Sequence, residues 1–337
     1  MLMENQFMQR AIDLASLGLG HTSPNPLVGC VIVHQDKVVG EGYHREFGGA
    51  HAEVNAIQSV GNQSLLPSST VYVTLEPCAH HGKTPPCAEL LIDKKVQKVI
   101  VASPDPFPAV NGKGFDMLRK AGIHVELGLY QDQYQWINRR FFKAIRERRP
   151  YIILKWAQTA DGFLAKSNGD SKWISCECSR QLVHKWRTEE DAVLVGKNTA
   201  IEDNPRLNVR DWIGRQPARI LLDTHLKVPQ NSLLYDHSLR TIVVNKLKEG
   251  KSPNLEYWKV QDLSTLLARL CTSGIHSMII EGGTEVFNSF IKADLWDEAR
   301  VFTSKTFFKK GIRTPILNGK LIREEKVDMD LLSIYVN

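Results

Sequence analysis

The feature that most restricts this chain is a short triplet, His51-Ala52-Glu53, followed downstream by Pro77-Cys78 and, nine positions later, by Cys87. One imidazole and two thiolates supply three ligands to a zinc ion and leave the fourth tetrahedral position open. Water in that position ionises near neutral pH. Glu53 is not needed as a ligand and is placed to carry a proton from the water to a departing amine. Both parts of the set fall where a predicted strand hands over to a helix, which is where open α/β sheets bind ligands.

The spacing is unusual. Zinc-dependent nucleobase deaminases combine H-x-E with two cysteines separated by two residues, whereas eight residues, Ala79 to Pro86, intervene here. Pro85-Pro86 stiffens the end of that insertion and sets Cys87 at the start of the helical run Ala88-Glu89-Leu90-Leu91-Ile92. A helix start lowers a thiol pKa and so favours the zinc-binding thiolate. The bland alternative is a core histidine with two buried free cysteines; the tight His-x-Glu and the order of the residues favour zinc. A purely structural zinc module is a further alternative, and it would need a fourth protein ligand such as His80.

The segment Glu76-Pro77-Cys78-Ala79-His80-His81-Gly82-Lys83-Thr84-Pro85-Pro86-Cys87 closely resembles the bifunctional riboflavin-biosynthesis deaminase/reductases of bacteria, and the long insertion is that family's own variation. Thr22-Ser23-Pro24-Asn25-Pro26-Leu27-Val28-Gly29-Cys30-Val31 is similar to the family's pyrimidine-pocket segment. The resemblance implies base contact by Asn25, whose amide donates and accepts at once. It also implies a phosphate clamp at Lys83 and Thr84, with His80 near the sugar. From residues alone, Asn25 reads equally as a turn residue, and the insertion as a solvated loop. His44 reads as a surface residue at a strand end.

At 337 residues the chain suits two domains. A hydrophobic content of 42% with 24% charged residues is ordinary for a soluble globular protein. No apolar run exceeds strand length, and the N-terminus is amphipathic, so neither a membrane span nor a secretory signal is expected. Six cysteines, two of them assigned to zinc, do not make a disulfide framework, and a reducing cytoplasm is expected. A net charge of +6 suits local basic pockets for phosphorylated small molecules as well as it would a nucleic-acid face. No nucleic-acid partner is expected, and a homo-oligomer, dimer or tetramer, is.

Helical spacing at Phe7, Met8, Ala11, Ile12 and Ala15 is followed by strands at Val28–His34, Lys37–Tyr43, Thr70–Leu75, Val96–Ala102 and His124–Leu129, with helices from His51 and Gly114 between them. This order gives a three-layer α/β/α sandwich. One helix is expected from Tyr134 to Arg149, with a basic face that is more simply a solvated side than an RNA surface. Pro150 ends it, so the expected domains are 1–149 and 150–337.

Beyond Pro150, strands at Tyr151–Ala157, Asp191–Gly196, Arg219–Asp223, Thr241–Asn245 and Ser277–Ile280 alternate with helical runs, an open α/β sheet. Ile280-Glu281-Gly282-Gly283 then opens into a helix. Glycines let a backbone approach phosphate, although without G-x-G-x-x-G a plain tight turn reads equally well. Asp161-Gly162, Asp170-Ser171-Lys172-Trp173-Ile174, Val195-Gly196, Thr199, Asp203-Asn204-Pro205 and Glu281-Gly282-Gly283 resemble the reductase half of the same family.

That resemblance implies a dihydrofolate-reductase-like α/β fold behind a cytidine-deaminase-like first domain, with zinc and NADPH as cofactors. It places NADPH on Ala157, Trp173, Thr199, Asp203, Thr224 and the run Gly283, Thr284, Glu285, Val286, Phe287, Asn288, Ser289. It places the substrate on Lys155, Ser171, Arg187, Leu207, Arg210 and Glu281. Guanidinium forks at Arg187 and Arg210 match phosphate oxygens. The implied activity is hydrolytic deamination of a diaminopyrimidinone ribosyl phosphate, followed by NADPH-dependent reduction of its ribosyl group to ribityl. From Phe307 onward the chain departs from the family pattern, with Phe307-Phe308-Lys309-Lys310-Gly311 in place of a smaller, glycine-rich stretch.

Overall fold

A computed structural model describes residues 2–81, 85–107, 111–128, 130–171 and 174–337. The chain divides into two compact units, Met1–Arg148 and Arg149–Asn337. Among the described residues no helix is long and apolar enough to cross a membrane.

The first unit runs α1 (Leu2–Ser16), β1 (Gly29–His34), β2 (Lys37–Tyr43), α2 (Ala52–Ser59), β3 (Thr70–Leu75), α3 (Cys87–Asp93), β4 (Lys98–Ser103), α4 (Lys113–Lys120), β5 (His124–Leu127), α5 (Gln131–Ile137) and α6 (Arg139–Glu147). Its sheet has the order β2-β1-β3-β4-β5, with β3, β4 and β5 parallel and β1 antiparallel to both its neighbours. Alternate strand residues face opposite layers, as a two-residue period requires. Cys30, Ile32, Val71, Val73, Val99 and Val101 pack with α2, α3 and α4. Val31, Val33, Tyr72, Ile100 and Ala102 pack with α1, α5 and α6. The three layers follow.

The single helix expected over Tyr134–Arg149 is two. Asn138, at φ −96°, ψ 14°, breaks it. Its buried side chain accepts from the Leu27 N–H at 2.7 Å and donates to the Leu27 carbonyl at 2.9 Å. A side chain that satisfies a buried loop backbone this way is held in place of a helical turn.

The second unit runs β6 (Tyr151–Gln158), β7 (Phe163–Lys166), α7 (Glu177–Glu189), β8 (Ala192–Gly196), α8 (Lys197–Asp203), β9 (Ala218–Leu222), β10 (Thr241–Asn245), β11 (Gly250–Ser252), β12 (Leu255–Lys259), α9 (Leu263–Thr272), β13 (Ser277–Gly282), α10 (Thr284–Lys292), β14 (Glu298–Thr303), β15 (Gly311–Arg313), β16 (Lys320–Val327) and β17 (Asp330–Val336). Ten strands form one sheet, β11-β12-β10-β9-β8-β13-β6-β14-β17-β16, parallel from β12 through β14 and antiparallel at its ends. β7 and β15 make a separate ribbon.

Strand β14 lies inside this sheet although the sequence pattern does not show it. Glu298 and Arg300 interrupt its apolar run, yet both are buried and bonded to each other at 2.6 Å. The Tyr151 hydroxyl also donates to Glu298, at 3.1 Å. The C-terminal segment, despite its departure at Phe307, closes the sheet as β16 and β17.

Candidate active sites

In the first unit, α2 begins directly after His51, β3 delivers the chain to Cys78, and Cys87 opens α3. His51 Nδ1 lies 3.7 Å from Cys78 Sγ and 3.3 Å from Cys87 Sγ. Ligand atoms about 2.0–2.3 Å from one tetrahedral ion stand about 3.5–3.8 Å apart, so the two nitrogen–sulfur distances are close to those zinc requires. The Cys87 amide donates to Cys78 Sγ at 3.2 Å, a contact that favours thiolate. The Cys78 thiol is pulled down to about 4, chiefly by its hydrogen bond with Cys87 and then by His51, while Cys87 is pushed up by sharing that proton. His51 is raised by its bond to Cys78. Among the described residues the His51–Cys78–Cys87 group has no fourth protein ligand.

Glu53 sits in the first turn of α2 with 4% of its surface exposed. Burial raises its carboxyl to about 7, assisted by the neighbouring Cys78 thiolate. A divalent cation at the trio would draw that value back down. A buried carboxyl that stands next to the ligand trio and is not part of it suits a proton carrier.

Asn25 stands beside this cluster, its amide nitrogen 3.1 Å from His44 Nε2. His44 is therefore not a surface residue: it is 3% exposed, and its ring meets that of His51 edge-on, with centroids 5.7 Å apart. Burial lowers its pKa. A histidine just past a strand end gives no pattern from which such enclosure can be read. His80 is exposed at the mouth of the insertion. Lys83 and Thr84 lie outside the described residues.

In the second unit a cavity of about 890 Å³ opens along the C-terminal ends of β6, β8, β9 and β13. Of the residues expected to hold cofactor, Ala157, Thr199, Asp203, Thr224, Gly283, Thr284, Glu285, Val286, Phe287 and Ser289 line it. Of those expected to hold substrate, Lys155, Ser171, Arg187, Arg210 and Glu281 do. Leu207 and Asn288 do not line it; Leu207 is 3% exposed and belongs to the core beneath. Trp173 lies outside the described residues.

Gly282 and Gly283 earn their positions sterically. A Cβ on Gly282 would stand 2.7 Å from Thr199 Cγ2, and Gly283 has φ +92°, which side chains rarely adopt. The bare backbone and the start of α10 together make a surface fit for a cofactor's phosphates.

Arg187 is 8% exposed, and its guanidinium is filled from within the protein. Nε and Nη2 donate to Glu281 at 2.6 and 2.7 Å, and Nη1 donates to the Asn208 carbonyl at 2.9 Å. Burial alone would raise the Glu281 carboxyl, but Arg187 overrides it and holds it at about 2. Lys155 is lowered by burial and by Arg187, against the pull of Glu281.

Sequence reasoning passed over His184, which also lines the cavity. It lies one turn before Arg187 on α7, a spacing that puts the two on one helix face. Its Nε2 is 3.1 Å from Asp211 Oδ2, and its Nδ1 faces the Arg210 amide at 3.5 Å. Burial, with Arg187 and Arg210, depresses its pKa to about 4.

Comparison with known proteins finds a family match for each unit. The cytidine and deoxycytidylate deaminase zinc-binding region matches residues 1–103, and the RibD C-terminal domain matches residues 150–335. The riboflavin biosynthesis protein RibD of Aquifex aeolicus is 40% identical over 330 residues, covering 95% of this chain and 92% of that protein. The RibD protein of Escherichia coli is 34% identical over 333 residues, covering 89% and 87%. Among solved structures, the diaminohydroxyphosphoribosylaminopyrimidine deaminase/5-amino-6-(5-phosphoribosylamino)uracil reductase of Thermotoga maritima superposes with a TM-score of 0.92 at 36% identity, covering 99% of this chain and 98% of that one. The two expected folds, the zinc-binding character of the deaminase part and the use of NADPH by the reductase part are those of this family. The chain belongs to the RibD family, the bifunctional deaminase/reductases of riboflavin biosynthesis.

Proposed function

We propose that the two reactions divide between the two units, with 2,5-diamino-6-(5-phosphoribosylamino)pyrimidin-4(3H)-one as first substrate. His51, Cys78 and Cys87 would hold zinc, which would supply Lewis acidity to the first step, and the second unit's cavity would hold NADPH, which would supply hydride to the second. Glu53 takes a proton from the attacking water and passes it to the leaving nitrogen, so water and amine become carbonyl and ammonia. Asn25 holds the base, and His80, Lys83 and Thr84 take the ribose phosphate.

In the second unit Arg210, with its exposed guanidinium, and Lys155 meet the phosphorylated sugar, while Ser171 contacts it beside Glu281. Arg187 fixes Glu281 as an anion and thereby sets the cavity wall. Thr199, Asp203, Thr224, Gly283 to Phe287 and Ser289 hold the cofactor. Homo-oligomeric assembly and a cytoplasmic setting complete the reading; light scattering measures the first.

The observation that carries this reading is the buried Glu53 beside a ligand trio that already fits zinc and does not include it. The test supplies the diaminopyrimidinone nucleotide with and without NADPH. Ammonia release without cofactor, and NADPH oxidation only after deamination, are expected. Glu53→Gln should lower the rate of ammonia release by about 10²–10⁴-fold and leave reduction of supplied aminouracil nucleotide unchanged. Loss of both activities in a folded, zinc-loaded variant would refute the division between units.

A further inference from the structure

We infer that His44 is a positioning residue that fixes the amide of Asn25 with its carbonyl oxygen toward the base, so that the deaminase pocket reads a ring N–H rather than a ring lone pair. The inference rests on the deaminase reading above and sharpens its substrate specificity.

Hydrogen-bond accounting leads to it. His44 Nδ1 lies 3.0 Å from the Ala50 carbonyl oxygen. A carbonyl only accepts, so Nδ1 carries the hydrogen. The neutral ring then has its lone pair on Nε2, which must face a donor. That donor is the Asn25 amide nitrogen at 3.1 Å. An amide whose nitrogen is committed in this way has its oxygen on the other branch, and among the described residues Asn25 Oδ1 has no protein partner.

The frame around the pair is rigid. The His44 backbone N–H donates to the Val28 carbonyl at 2.9 Å, and the Asn25 backbone N–H donates to the Thr22 carbonyl at 2.8 Å. Asn55 Nδ2 bridges the Tyr43 and Ala50 carbonyls at 2.8 and 3.3 Å. Ala50 in turn precedes the ligand His51. One imidazole thus links the asparagine loop to the backbone that carries a metal ligand, and it cannot rotate without losing both bonds.

The consequence is chemical. A 2-aminopyrimidin-4(3H)-one carries a hydrogen on the ring nitrogen N3, next to the carbon that loses its amine. In cytosine the one ring nitrogen next to that carbon carries a lone pair and no hydrogen. An asparagine oxygen fixed outward accepts from the first and opposes the second, lone pair to lone pair. Pocket polarity of this kind discriminates far more strongly than shape, because the wrong ligand leaves buried polar atoms unpaired.

The first test is spectroscopic. Long-range 1H–15N correlation on the zinc-loaded full chain with labelled histidine should show His44 protonated on Nδ1 and unprotonated on Nε2. The opposite tautomer would overturn the inference whatever the kinetics. The second test is kinetic. His44→Ala should raise KM for the diaminopyrimidinone nucleotide about tenfold or more, with kcat and zinc content nearly unchanged. His44→Gln, whose side-chain oxygen can replace Nε2 as acceptor, should recover most of the loss. An unchanged KM in His44→Ala, or equal defects in Ala and Gln variants that both retain zinc, would sink it. Should the alanine variant fail to bind zinc, the tautomer alone decides. Failure of the deaminase reading would look different: the unaltered chain would release no ammonia.

Discussion

The two sites each bury a glutamate, and they treat it in opposite ways. Glu53 sits among thiols and the His51 imidazole, whose pull only partly offsets burial, and its carboxyl rises to about 7. Glu281 is grasped by both arms of Arg187 and falls to about 2. Burial acts upward on both; the guanidinium decides the outcome. One carboxyl is left able to exchange a proton near neutrality, and the other is locked as an anion that shapes a wall. The sites differ in construction as well. The metal trio gathers its donor atoms within 4.8 Å from two short segments. The reductase cavity spreads over the ends of four strands and the helices α7, α8 and α10.

The contrast is most sharply tested by removing a metal ligand. Cys87→Ser should lose zinc and reduce deamination by more than about a hundredfold, beyond the usual cost of disturbing a ligand's supporting contacts. Reduction of supplied aminouracil nucleotide should stay within about twofold, since that chemistry uses none of the same residues. Metal analysis and the two separate assays read this directly.

The next effect is on stability. Arg187→Ala strands Glu281 and should cost about 3–5 kcal/mol in chemical denaturation. Replacing both partners together, Arg187→Met with Glu281→Leu, should recover much of that stability while cofactor and substrate binding stay impaired. Equal destabilisation by the single and double changes would show that the pair's packing, and not its charge, matters.

A smaller effect appears with pH. The folded chain holds His184 near 4 against an ordinary 6.5, so it binds fewer protons than the unfolded chain between those values. Stability from this residue is complete above pH 6.5 and declines as pH falls to about 4. Glu281, held at about 2 against 4.5, adds a second decline between those values. Thermal melts of His184→Asn should flatten the upper part of the curve and leave the lower part intact. The smallest effect belongs to Asn288→Ala, which is off the cavity and should change the KM for NADPH by less than about twofold.

The same contrast explains what could be read in advance. The zinc trio was legible because tetrahedral coordination needs only three donors, and they occur at the ends of well-patterned strands and helices. The alternating strands of both sheets were legible for a similar reason: Val31, Val33, Val71 and Val73 declare their faces by parity. Other features were written in partners remote in sequence. Strand β14 was hidden because Glu298 and Arg300 neutralise one another only once folded. Asn138 looked like one more helical residue because its partner, Leu27, lies far upstream in the chain. His44 acquires its meaning from Asn25 and Ala50, and neither bond leaves a mark in local composition. Leu207 carried a family expectation of contact, yet its side chain packs into the core.

Asn138 also sets how far the first unit must extend to be whole. The zinc-binding signature spans residues 1–103, but both polar groups of Leu27, just beyond the Asn25 loop, are satisfied by a side chain thirty-five positions past that end. A fragment trimmed to the signature would abandon two buried backbone groups at about 1–3 kcal/mol each, beneath the loop that carries Asn25. Trimming the chain safely would therefore mean cutting after the sixth helix, because the Asn25 loop is buttoned from behind by a side chain outside the His51–Cys78–Cys87 group.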